Sequence, residues 1–239
     1  MAISERTFAD RLGRGQQLQT AVAAFSPAFA PADASLGVTA FQTFVDGLDT
    51  LNTETGTSVT QYSTEVDVRG EMVKDVKART LRVLSFVESN SAWAKYARGI
   101  KKLADKIRGN RPRKPAAPAP GETPGSPTAK ARNTGEQSFV EIAENFEQLV
   151  AAVAGISGYT PPAAQITVAN LTTLADDFSD KNKAMATLGR QVVLKQKDRL
   201  DGYAGPGGLS EKMIAIKKAV RAQYGSDSAE YNAVKGIKV

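Results

Sequence analysis

Val38, Phe41, Val45, Leu48, Asn52, Thr55, Val59, Tyr62, Val66, Arg69, Val73, Val76, Thr80, Val83 and Val87 recur at alternating three- and four-residue steps along residues 34–87. Most of these positions are apolar, and that spacing marks the seam of a packed helix pair. Working outward, residues 5–26 read as a preceding helix with Phe8, Leu12, Leu18, Val22 and Phe25 on one face and Ser4 available as cap. Pro27 and Pro31 interrupt the chain before the long element, where Asp33 or Ser35 offers a second cap.

Within the long stretch, Gly56 lies in a Thr-rich, β-branched patch and Gly70 is the next weak point. The reading therefore places a turn between Ser63 and Gly70, with a further helix over roughly 71–88. A short tail from Ala92 to Arg108 follows, carrying Trp93, Tyr96, Ile100, Leu103 and Ile107. Residues 109–135 hold Pro112, Pro115, Pro118, Pro120, Pro124 and Pro127 among small residues, a composition that builds no core and favours an extended, disordered linker.

Beyond this linker the first half begins again. An offset of 131 pairs Glu5 with Glu136, Phe8 with Phe139, Leu18 with Leu149 and Ala21–Ala23 with Ala152–Ala154. An offset of 130 then pairs Val38 with Val168, Asp46 with Asp176, Asn52 with Asn182, Gln61 with Gln191 and Arg69 with Arg199. After an insertion around Gly202–Gly208 the offset becomes 137, matching Val83 with Val220, Ser91-Ala92 with Ser228-Ala229 and Gly99–Lys101 with Gly236–Lys238. The expectation is an all-α protein: two copies of a three-helix unit, 1–108 and 136–239, joined by the linker 109–135. The unequal helix lengths leave part of the longest one uncovered, to be buried by the other copy or by another chain.

Composition narrows the chemistry. The 239 residues include no cysteine and no histidine, which removes disulfides, thiolate nucleophiles, the usual zinc and haem ligands and the commonest general base. No apolar run is long enough to span a bilayer and the N-terminus lacks a secretory core, so a cytoplasmic protein is expected. The net charge of +6 is unevenly placed. Residues 95–132 hold eleven Lys and Arg against Asp105 and Glu122, 11 − 2 = +9, leaving 6 − 9 = −3 for the rest.

Within that segment Lys95, Arg98, Lys101, Lys102, Lys106, Arg108, Arg111, Arg113 and Lys114 fit a nucleic-acid arm, with Trp93 and Tyr96 near enough to stack on bases, though a charged, solvated linker is the better fit. Asn52 and Asn182 occupy equivalent seam positions, where a buried Asn fixes register or a half-exposed one simply meets water. Arg69 with Arg199 and Asp46 with Asp176 read as surface ion pairs or turn contacts. Glu136, Glu141, Glu144 and Glu147 form an acidic run that reads as a solvated helix face, since a di-iron bundle needs histidine. Gly205-Pro206-Gly207-Gly208 lacks the Gly-x4-Gly-Lys-Ser/Thr pattern of a phosphate loop and reads as turn chemistry.

The run Tyr224-Gly225-Ser226-Asp227-Ser228-Ala229-Glu230-Tyr231 resembles the C-terminal signature of a loose group of bacterial all-helical proteins to which no activity is attached. The resemblance implies a helical fold and no function. Taken together, the sequence predicts a non-enzymatic structural or protein-interaction module that takes no cofactor, metal or small-molecule substrate. Its expected partner is a protein or a second copy of itself, met through the long helices, with nucleic acid as the alternative.

Overall fold

The computed structural model describes residues 5–109 and 138–239, of which residues 5 and 6 are described in backbone only. All regular structure among them is helical: α1 (Glu5–Ala23), α2 (Val38–Glu88), α3 (Ala94–Arg108), α4 (Phe139–Ala154), α5 (Val168–Ala204), α6 (Leu209–Tyr224) and α7 (Ala229–Lys235), with single 3-10 turns ahead of α2, α3 and α5. Ser4 and residues 110–137, which carry almost all of the proline-rich linker, lie outside the described residues.

Local chemistry explains the starts and stops. Ser138 opens α4 with a full capping box, accepting from the Glu141 N–H while the Glu141 carboxylate accepts from the Ser138 N–H. Gly109 closes α3 in the left-handed conformation, at φ 80°. Asn90 and Ser228 each accept a backbone N–H two or three residues on, which starts the turns into α3 and α7.

The turn predicted between Ser63 and Gly70 does not exist, because α2 runs unbroken through 51 residues. No proline interrupts 63–70, and one half-buried glycine, Gly70, costs a helix only about 1 kcal/mol. Pairs such as Lys74–Glu71 and Arg79–Asp75 also support the helix just beyond. By contrast α5 stops where Gly205–Gly208 supplies a proline, a left-handed Gly207 at φ 71° and a Gly205 N–H returned to the Asp201 carbonyl at 2.8 Å. The stretch read as a tail, 92–108, is largely the ordered helix α3.

The chain forms two compact units. One takes the described residues up to Ser63 together with Thr187–Val239, and the other takes those within Thr64–Ala186. These limits differ from the sequence boundaries 1–108 and 136–239, since each unit draws on both sides of residues 110–137.

In the first unit α1 contributes Phe8, Leu12, Leu18 and Val22, and α2 contributes Phe41, Val45 and Leu48. They pack on Tyr203 of α5, Leu209, Met213, Ile216 and Val220 of α6 and Val234 of α7. The far end of α6 pins the α1–α2 connection: Tyr224 Oη donates to the Pro27 carbonyl at 2.7 Å and Gln223 Nε2 to that of Ala28 at 2.9 Å. Here α2 and α5 run antiparallel, with Lys195 on Glu54 at 2.6 Å and Asn52 on Tyr203. Beyond Leu48 the seam thins, and Thr55 is the one fully buried residue of 49–63, its hydroxyl donating to the Leu51 carbonyl at 2.7 Å.

In the second unit Val76, Val83 and Val87 of α2 and Ile100 and Ile107 of α3 pack on α4 (Phe146, Leu149, Val153) and the start of α5 (Leu171, Phe178). Phe86, Trp93 and Tyr159 form an edge-to-face cluster at one margin of this core, with centroids 5.4–5.9 Å apart. Burial pushes the Tyr159 phenol up to about 12, and its hydroxyl donates to the Ile166 carbonyl at 3.0 Å.

Candidate functional site

The sharpest chemical asymmetry is on α3. Ile100, Ala104 and Ile107 are buried, and the exposed side carries Lys95, Arg98, Lys101, Lys102, Lys106 and Arg108. Six of its fifteen residues are thus cations against one acid, Asp105, and none of the six is in an ion pair with a described residue. The helix that buries an apolar stripe on one face therefore displays a concentrated charge on the other. Arg111, Arg113 and Lys114, expected to extend it, lie outside the described residues.

The two aromatic residues read as stacking partners for bases are both half-buried. Trp93 is committed to Phe86 and Tyr159, and Tyr96 packs against the core with the Lys95 ammonium 4.9 Å from its ring centre.

The paired asparagines are both half-buried. Asn52 Nδ2 donates to Tyr203 Oη at 2.7 Å and Asn182 Nδ2 to the Phe139 carbonyl at 3.1 Å, while the Oδ1 atom of each is buried without a protein partner. Each side chain thus ties one long helix to a different element of its own unit.

The paired arginines were misread as surface groups. Arg199 is only 4% exposed, with its guanidinium 4.3 Å from the Phe8 ring centre, and Arg69 lies 3.8 Å from that of Phe139. A guanidinium stacked on a ring keeps its charge while shedding water from one face. The signal was available, because the repeat matches Arg69 to Arg199 and Phe8 to Phe139. It did not show that each arginine meets the phenylalanine of the other half.

Other groups are spoken for. Glu141 serves the α4 cap, while Glu144 and Glu147 face solvent. Burial lowers the pKa of Lys217, whose ammonium donates to the Ile237 carbonyl. An open depression of about 440 Å³ in the second unit is lined by Met72, Asp177, Asp180, Lys181 and Ala184. Its Lys181 is held by Glu65 at 2.6 Å and its Asp180 by Lys183 at 2.9 Å, so two of its three charges are already matched.

No protein-family model, curated protein or solved structure matches the chain. Function must therefore be argued from these side chains alone. Among the described residues no cluster of three or more acidic side chains is arranged to hold a metal, and no helix is long and apolar enough to cross a membrane.

Proposed function

We propose that the chain is a non-catalytic helical interaction module, built from two copies of one ancestral unit joined through residues 109–135, and that it associates with a second copy of itself. The duplication is supported by the equivalence of the buried sets. Leu18, Val22 and Leu48 of the first unit's core match Leu149, Val153 and Phe178 of the second's, and Val220 and Ile237 match Val83 and Ile100. The crossed stacking of Arg69 on Phe139 and Arg199 on Phe8 repeats the same relation. On this reading the long helix of each copy already recognises its counterpart in antiparallel register, so pairing of like with like is native to the sequence.

The observation that carries self-association is the outward side of α5, where Val193, Leu194 and Leu200 are 64%, 53% and 43% exposed. Arg190 and Asp198 lie one turn to either side of Leu194, both exposed and neither in an ion pair among the described residues. A two-fold contact repeats every residue pair. Antiparallel pairing centred on Leu194 sets Leu194 against Leu194 and Arg190 against Asp198 twice, since 190 + 198 is twice 194. Leu194 and the two charge pairs then complement one another.

Sedimentation equilibrium of the full chain tests this. Leu194→Glu is expected to raise the dimer dissociation constant at least tenfold, with a surface position costing the monomer only about 0.5 kcal/mol. Asp198→Arg is expected to weaken the dimer and Arg190→Asp to restore it in the double variant. A chain that stays monomeric at high concentration overturns the reading.

A further inference from the structure

We infer that the exposed side of α3 is a docking surface for the phosphate backbone of double-stranded nucleic acid, an activity separate from self-association. At 100° and 1.5 Å per residue, Lys95, Arg98, Lys102 and Lys106 fall within an arc of about 80° and form a straight row about 16 Å long. That row faces away from Ile100, Ala104 and Ile107. Lys101 and Arg108 flank it on one side.

A row of like charges at i, i+4 spacing opposes helix formation, and α3 holds Arg98, Lys102 and Lys106 in that spacing without an ion pair. Elsewhere exposed lysines are matched within their own helix, as with Lys74–Glu71, Lys183–Asp180 and Lys197–Asp201. A polyanion supplies what α3 lacks.

The chemistry selects among polyanions. Each strand of a duplex presents one phosphate per about 3.4 Å of axis, so a 16 Å rigid row spans about five of them. A bilayer is a poorer match, because the apolar side of α3 is committed to the core and leaves nothing to insert below the headgroups. Trp93 and Tyr96 are engaged elsewhere, so contact is to backbone, sequence-independent, and favours duplex over unstacked single strands. The sequence also continues the charge, with Arg111, Arg113 and Lys114 following directly.

The test is fluorescence anisotropy of a labelled 20-base-pair duplex of arbitrary sequence with the full chain, titrated in salt. Four phosphate contacts predict a slope of about −3.6 in log K against log salt, a fall of about 150-fold between 50 and 200 mM, before any contribution from residues beyond α3. The variant Lys95→Gln, Arg98→Gln, Lys102→Gln, Lys106→Gln is expected to flatten the slope by that amount. Should this variant misfold, Lys102→Gln alone is expected to reduce it by about 0.9. Removing two cations held in ion pairs, Lys74→Gln with Lys183→Gln, is expected to leave the slope unchanged. Absence of binding at 50 mM salt, an unchanged slope in the α3 variants, or binding to phosphatidylserine vesicles but not to duplex would each overturn the assignment.

Discussion

A chain cut once between Gly109 and Ser138, at a protease site introduced there, is expected to elute as a single species of intact size and to melt as the uncut chain does. The core of the first unit takes eight buried apolar residues from the N-terminal piece and seven from the C-terminal piece, so neither piece retains a core. The second unit is divided the same way, with Val76, Val83, Val87, Ile100 and Ile107 on one piece and Phe146, Leu149 and Phe178 on the other. At about 1.5 kcal/mol or more per buried aliphatic side chain, pulling the pieces apart would cost more than the 5–15 kcal/mol that holds an ordinary domain folded. Size-exclusion chromatography at micromolar concentration reads the result directly. Two folded pieces eluting apart would restore the boundaries 1–108 and 136–239 and would overturn the interleaved cores.

The contrast with those boundaries shows what the sequence made legible. The three-four spacing correctly marked Phe41, Val45, Leu48, Val76, Val83 and Val87 as buried. It could not name their partners, because a helical period specifies a face and is silent about what covers it. Val59 is 39% exposed although it keeps the same period. The charge of 95–114 hid the regularity beneath it: Ile100, Ala104 and Ile107 recur at helical steps, and they lie in α3 over Ala94–Arg108. Arg69 and Arg199 were placed on the surface by their charge, whereas an aromatic face accepts a guanidinium in a nearly dry site. Residue type does not name a neighbour, and here Arg69, Arg199 and α3 all meet residues from the other half of the chain.

The misplaced turn yields the other large effect, one substitution with opposite signs at two glycines. Gly70→Ala is expected to stabilise the protein by about 1 kcal/mol and raise the melting midpoint by about 2–4 °C, because Ala outranks Gly inside a helix and relinquishes less backbone entropy on folding. A Cβ at Gly70 would meet nothing within 4 Å, so no clash offsets that gain. Gly208→Ala is expected to lower the midpoint by about 6–12 °C, equivalent to about 3 kcal/mol of overpacking. Its Cβ would lie 2.8 Å from the Gly205 carbonyl oxygen, 2.9 Å from that of Asp201 and 3.0 Å from that of Gly202. These are backbone atoms fixed by the end of α5 and by the Gly208 N–H bonded to the Gly205 carbonyl at 2.9 Å, so relief requires the whole loop to move. Calorimetric melting of the two variants therefore tests the contrast between the unbroken α2 and the tight stop at the end of α5. A destabilising Gly70→Ala would restore a turn between Ser63 and Gly70, and a neutral Gly208→Ala would mean that α5 and α6 are not held by the tight loop between them.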